Sequence, residues 1–589
     1  MKRLIIIVFA LFLAVNYSCK ESFMDTVPLG VASENAFYNQ KGVDAILIGA
    51  YSLLDGVGSG NEWASAVSNW VWGSVCSDDA YKGSDAGDQS PINDLERYQP
   101  LTTNTYVSGR WRTYYDGVSR CNDALKMMAK AQGLSDDYQK SVRAQALFLR
   151  AWYHFELKRT YNNIPYITED VPDPAKVPNT VDAWPLIEAD LNFAYQNLPE
   201  TQAQVGRATK WAAAAVLARV YLFQNKWDLA QGMLDAIINS SKYSLMDNFH
   251  DNFKIATQNN KESIFEIQMS VNDGSNGSYN ANWGDMLNFP YAPEVGLCCG
   301  FHQPSQNFVN AFKVDENGLP LLDTFNDVDL KWDNLASADR FVPTEEYVDP
   351  RLDWVVGRRG IPYLDWFVHR GKDWVRDQDN GGPYTYKRMQ FYKSEKGTLS
   401  STSGWGLGQN ANNIRAYRYS HILLWRAEVA AEKNDLAKAT ELVNMIRKRA
   451  GDDPKDFVMG KVTRYTFPTT TSGVYSDLEA AGEIDWTKPA ANYKIGLYPT
   501  FPNQDYARKA IRHEMRLEYG MEGHRFFDLV RWGIAAETLN KYLEKERTLR
   551  THLSNTSFRK GINEYWPIPQ AQIDIQNSDG EVLKQNNGF

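Results

Sequence analysis

Five residues recur at the same spacing in two distant parts of this chain. Leu217, Arg219 and Asp228-Leu229-Ala230 return as Leu424, Arg426 and Asp435-Leu436-Ala437. In both copies one helical run ends at a polar turn, Gln224-Asn225-Lys226 or Glu432-Lys433-Asn434, and the Asp-Leu-Ala step opens the next. Coincidence explains one shared residue but hardly five in register. Apolar residues keep to single helical faces in other blocks too: Val43, Ile46, Leu47, Ala50, Tyr51 and Leu54; Ala144, Leu147, Phe148, Ala151, Trp152 and Phe155; Ala213, Val216, Leu217, Val220 and Tyr221. Two antiparallel helices joined by a short turn, with small residues at the crossing, make a tetratricopeptide-like unit. Further pairs are predicted around 109–160 and 504–546. A single pair leaves its apolar face open to water, so the pairs must stack although they are scattered in sequence. The fold class is read as mostly α.

At the start of the chain, Lys2 and Arg3 precede an unbroken apolar run from Leu4 to Val15, and Ser18 stands before Cys19. That run is too short to span a bilayer comfortably but suits the central region of a signal peptide. A cysteine directly after the cleavage position is what bacterial lipoprotein processing acylates. Residues 1–18 are therefore read as a lipoprotein signal peptide and Cys19 as the lipid anchor, although Asn16-Tyr17-Ser18-Cys19 departs from the usual Leu-small-small-Cys box. The alternative is a soluble secreted protein with an incidental cysteine. No later segment is long and apolar enough to cross a membrane, so the lipid alone would hold the protein there. The remainder, 19–589, reads as one domain: 43% hydrophobic and 23% charged residues are a globular balance, ample for a large core. A formal charge of −9 with no basic run argues against nucleic acid as a partner. Beyond Cys19 the cysteines are Cys76, Cys121, Cys298 and Cys299, too sparse for a disulfide scaffold and not spaced for zinc. The adjacent Cys298 and Cys299 leave two readings open, a vicinal disulfide or buried thiols.

Between the helical blocks, residues 60–108, 270–410 and 452–502 are rich in Gly, Asn, Pro, Asp and aromatics with little periodicity. Loops of that length in an ordered protein are usually functional, although partly ordered insertions would read the same way.

Several segments together resemble the SusD/RagB family of outer-membrane nutrient-binding lipoproteins. One is the helix Arg143-Ala-Gln-Ala-Leu-Phe-Leu-Arg150-Ala-Trp-Tyr-His-Phe155, followed by Thr160-Tyr161 and Ile164-Pro165-Tyr166 and preceded by Arg120-Cys121-Asn122. The most distinctive runs from Ile511 through Glu514, Arg516, Glu518, Glu522-Gly523, Arg525 and Asp528 to Arg531-Trp532-Gly533, departing from the family pattern at His513-Glu514-Met515-Arg516. Val348-Asp349-Pro350-Arg351 and Trp566-Pro567-Ile568-Pro569 complete the set, and with the lipoprotein start the likeness covers essentially the whole mature chain. The resemblance implies four tetratricopeptide-like helix pairs cradling a loop-rich remainder. It also implies that a TonB-dependent SusC-like outer-membrane transporter is the partner, faced by the helices, while loops on the cell exterior bind ligand.

The carboxylates Glu514, Glu518, Glu522 and Asp528 invite an acid/base reading, because glycoside hydrolysis needs two at a set separation. On a helix, though, Glu522–Arg525 and Asp528–Arg531 are i, i+3 pairs of opposite sign, and interleaved Arg lowers carboxylate pKa values instead of raising one for a general acid. A structural ion-pair network is the better reading, and the chain is not expected to be an enzyme. His513-Glu514 opens like a zinc-protease helix, but Leu517 stands where the second His is needed. Asp327, Asp329 and Asp333 alternate as Ca²⁺ ligands do but lack the Gly and terminal Glu of an EF-hand loop, so they read as a solvated acidic loop and no cofactor is expected.

Glycan capture asks for something else. Sugar rings have an apolar C–H face and a rim of hydroxyls, so their sites pair exposed aromatic platforms with amide, carboxylate and guanidinium groups. The stretch from Asn272 to Tyr291 has that composition, with Tyr279, Trp283 and Tyr291 among Asn276, Asn280, Asn282, Asp285 and Asn288. A second stretch joins Asp78-Asp79 and Tyr81 to Arg97-Tyr98, and Trp366 and Trp374 lie in a third, Gly/Arg/Asp-rich loop. The resemblance implies ligand-stacking rings in the first two regions. The candidate glycan-binding residues are Trp283, Tyr291, Tyr279, Tyr98, Tyr81, Asp79 and Trp366; for each ring the plainer alternative is packing against a neighbouring loop. The alternative ligand is a peptide, as in the RagB-like branch, held more by backbone hydrogen bonds and pockets than by aromatic platforms.

Overall fold

The computed structural model describes residues 37–275, 281–292, 298–332, 334–343, 345–401, 408–451, 453–463, 483–578, 580 and 582–589. The leader, Cys19, Tyr279 and Asp333 lie outside those residues.

Long helices follow the periodic blocks: α1 (Gln40–Ser52), α2 (Thr105–Lys130), α3 (Asp136–Tyr161), α4 (Trp184–Asn197), α5 (Lys210–Phe223), α6 (Trp227–Asn239), α7 (Tyr419–Glu432), α8 (Leu436–Gly451), α9 (Gln504–Tyr519), α10 (Arg525–Arg531) and α11 (Ala535–Leu549). Their starts are written in the sequence. Asn104, Ser135, Thr209 and Asn503 each accept a hydrogen bond from a backbone N–H in the first turn of the helix they precede. The repeat is a pair of helix hairpins, α5/α6 and α7/α8, and in both polar turns an asparagine, Asn225 or Asn434, takes the left-handed conformation that Asn tolerates (φ 54° and 61°).

The hairpins stack in sequence order. α2 packs on α3, α3 on α4, α4 on α5, and α6 lies against α7, which joins the two copies of the repeat. α5 and α7 are buried on nearly every face, as their almost continuous apolar composition demands, while α6 and α8 bury one stripe. Region 504–546 forms three helices, and its long one, α9, lies chiefly on α7 and α8. No described helix is long and apolar enough to cross a membrane.

Sheet is confined to small antiparallel ribbons, chiefly β1 (Ala80–Gly83) with β3 (Phe301–Pro304), β2 (Ser263–Ile267) with β4 (Ile414–Arg418), and β5 (Met459–Val462) with β6 (Ile484–Pro489). β2 and β4 place Phe265 and Tyr417 on Phe148 and Trp152 of α3, which ties the loop-built half to the helices. That half has its own small core of Phe289, Tyr363, Trp366, Trp374 and Phe391.

Segments that carry the family likeness contribute to a buried charge lattice made of several separate clusters. Arg150 in α3 binds Asp190 in α4 at 2.7 and 2.9 Å and Asn122 in α2 at 2.9 Å. Glu514 accepts from Arg447 at 2.8 Å and forms an ion pair with Arg351 at 2.7 Å, Glu518 accepts from Arg351, Arg418 and Arg449, and Glu522 from Arg388 and Arg418 (2.5 and 2.7 Å). Asp528 sits between Arg219 and Arg531, each at 2.6 Å, so one of the two expected i, i+3 pairs forms. The other does not. Gly523 turns the chain between Glu522 and Arg525 at φ +74°, and a Cβ there would stand 1.9 Å from the Ser68 carbonyl oxygen. Arg525 consequently points away from Glu522 and grips Asp78 at 2.8 and 3.0 Å.

Candidate functional site

In residues 281–292 all but Trp283 and Tyr291 are buried. Ala281, in the left-handed region at φ 61°, donates its N–H to the Ser270 carbonyl, and Trp283–Asp285 forms a single 3-10 turn. The polar residues around it are spent on holding this turn. Asp285 accepts from Ser68 (2.6 Å), Asn282 (3.1 Å) and Asn288 (3.0 Å), and Trp70 Nε1 donates to the Gly284 carbonyl at 3.0 Å. Trp283 is left half-buried, its Nε1 donating to Glu62 at 2.9 Å. Tyr291 is 42% exposed, with the guanidinium of Arg376 5.2 Å from its ring centre. Arg376 also bonds Asp85 and Asp88, each at 2.6 Å, and Ser84 Oγ at 2.9 Å. Gly300 packs against both Tyr291 and Arg376, and just before it Cys298 and Cys299 are joined in a vicinal disulfide.

Ala281 also borders a groove of about 550 Å³, within the range of small-ligand sites. Leu54, Ile267 and Met269 are its buried apolar members; Gln204, Arg207, Gln268, Ser270 and Asp55 supply polar groups. Burial pushes the Asp55 carboxyl up to about 7, against the lowering influence of the Val57 N–H and Arg120. Amide, guanidinium, hydroxyl and carboxyl groups beside an apolar floor are suited to a ligand carrying many hydroxyls.

The other rings named from the sequence are corrected by their burial. Tyr81 is fully buried in β1, donating to Glu546 at 2.5 Å beneath Arg550. Tyr98, 1% exposed, donates to the Cys76 carbonyl and meets Phe558 edge-on. Trp366, also 1% exposed, donates to the Phe391 carbonyl at 2.7 Å, and Trp374 is sealed against Tyr363 and His369. None offers a face to a sugar. Asp79 is spent in the charge lattice, accepting from Arg516 at 2.8 Å. Arg376, Glu62 and the groove were missed. Arg376 lies in the same Gly/Arg/Asp-rich loop as Trp366 and Trp374, but Arg358, Arg359 and Arg370 of that loop are buried, so nothing local in the sequence singles Arg376 out.

Among the described residues one group has metal-ligand composition: His421, Glu522 and His524. Its partners account for it. Glu522 is held by Arg388 and Arg418, and the two imidazole Nε2 atoms lie 3.2 Å apart while His421 Nδ1 accepts from the Arg418 N–H. Burial and nearby Arg side chains hold both imidazoles well below their usual range, His524 at about 3. In the acidic loop, Asp329 takes Lys545 (2.5 Å) and Asn310 (2.7 Å) as its partners.

Residues 261–589 match the family described as the SusD family. The chain belongs to the SusD family. Residues 34–222 match a SusD-like family described as starch-binding and associating with the outer membrane. SusD-like protein P25 of Formosa agariphila is 22% identical over 627 aligned positions, 99% of each chain. Solved structures share the fold, among them those of two glycan-binding proteins. A laminarin-binding SusD-like protein superposes with a TM-score of 0.61 at 22% identity, over 94% of this chain and 100% of its own. Surface glycan-binding protein A of Bacteroides thetaiotaomicron, solved with laminarihexaose, gives 0.64 at 21% identity, over 93% and 100%.

Glycan-binding proteins of the SusD family are non-catalytic, and the carboxylates here are arranged accordingly. Burial would raise Glu518, but Arg449, Arg418 and Arg351 outweigh it and hold the carboxyl far below the usual range. A general acid needs the opposite environment.

Proposed function

We propose that this SusD-family chain is a cell-surface lipoprotein that captures a polysaccharide or oligosaccharide and delivers it to a TonB-dependent SusC-like transporter. Trp283 and Tyr291 are the sugar-stacking rings, Arg376 with Asp85 and Asp88 the polar partners beside Tyr291, and the groove at Ala281 a further stretch of the same surface. The observation that carries the reading is that these two aromatics, alone of the described rings named from the sequence, keep solvent access, and both come from one tightly hydrogen-bonded segment. A ring held rigid before binding loses little entropy when a sugar stacks on it. The ligands of the two solved neighbours, laminarin and laminarihexaose, support a glycan as the class. Lipidation at Cys19 would supply the membrane attachment, in keeping with the outer-membrane association described for the family matched by residues 34–222.

Native gels cast with a panel of polysaccharides, laminarin among them, test the reading. Retarded migration in at least one is expected; free migration in all, together with co-purification of peptides, would replace the glycan by a peptide. For the anchor, Cys19→Ala should release the protein from the membrane fraction.

A further inference from the structure

The antiparallel strand pair β5–β6 carries an aromatic that the site above does not use. Trp486 is 49% exposed on β6, among the most exposed large hydrophobic side chains described. It is nevertheless held in place. On the paired strand, Gly460 at φ +108° leaves the space a side chain would fill, and the six-membered ring of Trp486 takes it; a Cβ on Gly460 would stand 2.6 and 2.8 Å from two of its ring carbons and 3.0 Å from Pro362. One edge of the indole thus lies over the Gly460 backbone, and about half of the side chain stays exposed. The strand pair is itself anchored, since Val462 and Ile484 pack on Val368. Pro362 begins the short ribbon 362–368, whose Tyr363 belongs to the small core shared with Phe289 and Ala292. Trp486 therefore stands on the layer that also supports the Trp283–Tyr291 segment.

The surroundings narrow the occupant. Along β6 the indole is flanked by Asp485, Thr487 and Lys488, and Lys461 pairs across from Asp485. Asp485 bonds Thr487 at 2.6 Å and Lys488 at 3.0 Å. Among the described residues of β6 the indole has mostly polar neighbours, a poor fit for a protein partner, whose interfaces centre on contiguous apolar area. It is a good fit for a pyranose, which brings one small apolar face rimmed with hydroxyls.

From this we propose that Trp486 is a second sugar-stacking platform, outside the Trp283–Tyr291 segment, that contacts the glycan chain; the inference rests on the glycan reading above. The test compares the full chain with Trp486→Ala, Trp486→Phe and Gly460→Val on a polysaccharide the unaltered protein binds, by titration calorimetry, with sedimentation velocity at the same concentrations. Trp486→Ala should weaken binding about tenfold, Phe should restore part of it, and Gly460→Val, which pushes the ring off its support, should weaken it while the thermal transition stays cooperative. Unchanged affinity in Trp486→Ala while Trp283→Ala loses binding overturns this platform and leaves the glycan reading intact. Loss of self-association in Trp486→Ala instead assigns the ring to contacts between copies. No glycan binding by the unaltered chain ends both.

Discussion

Tyr81 and Tyr291 look equivalent in the sequence, each in a Gly/Asp/Asn-rich stretch, yet one is sealed and the other open. What separates them is distant: the Tyr81 hydroxyl meets Glu546, 465 residues away. Loop rings are buried by such long-range partners, and no local period announces them. The charge lattice was more legible, because Glu, Arg and Asp at helical spacing had no general acid among them; only the turn at Gly523 redirected a pair. Removing one member should leave buried charges without partners. Glu518→Ala is expected to cost about 3–5 kcal/mol in chemical denaturation, and a loss below about 1 kcal/mol would mean that the lattice contributes little. Histidines add a pH dependence. Of the eight in the chain, six are buried and His524 is half-buried, and in all seven burial, mostly aided by nearby Arg or Lys, lowers the pKa; five lie at about 3. Unfolded imidazoles take up protons near about 6.5, so this contribution is full above that pH and drains away as pH falls toward 3. Six carboxyls raised by burial, Asp55 and Glu546 to about 7 and also Asp79, Asp285, Glu395 and Asp456, act in the opposite sense, gaining as pH falls, but the seven imidazoles outnumber them. Tm should therefore be lower at pH 5 than at pH 7.5; an equal or higher value would show that the imidazoles do not enter the balance as described.

Helices were legible where the apolar stripe, the cap and the turn residue agree, as in the two copies of the repeat. Region 504–546 gave its helices but not their neighbours, since α9 finds its surface on α7 and α8, encoded dozens of residues earlier. The ribbons were not legible at all: β2 and β4 are two short strands separated by a long irregular stretch, and their pairing depends on Phe265 and Tyr417 meeting α3. Close approach within the hairpins is testable at Gly117 in α2, where an added Cβ would lie 2.7 Å from the Tyr153 ring of α3. Gly117→Ala should destabilise by about 1–3 kcal/mol through overpacking, despite the better helix propensity of Ala. Higher stability in thermal unfolding would show that the helices separate freely at this crossing.

At the scale of the molecule, stacked hairpins form a rigid body on which irregular segments are pinned by hydrogen bonds and a second small core. The sequence conveyed this division well, because long aperiodic stretches between periodic ones have few other solutions. It pointed to the proposed ligand surface only in part. Trp283 and Tyr291 stand where the composition pointed, while Tyr81, Tyr98 and Trp366 went into the interior and Arg376 was overlooked. The most direct measurement is calorimetric titration of the unaltered chain and of Trp283→Ala/Tyr291→Ala with a polysaccharide that retards it. The double variant should keep its Tm and lose about five- to 150-fold in affinity, as two aromatic contacts of about 0.5–1.5 kcal/mol each imply. Equal affinity with both rings gone would contradict the assignment of this face as the place where glycan is held.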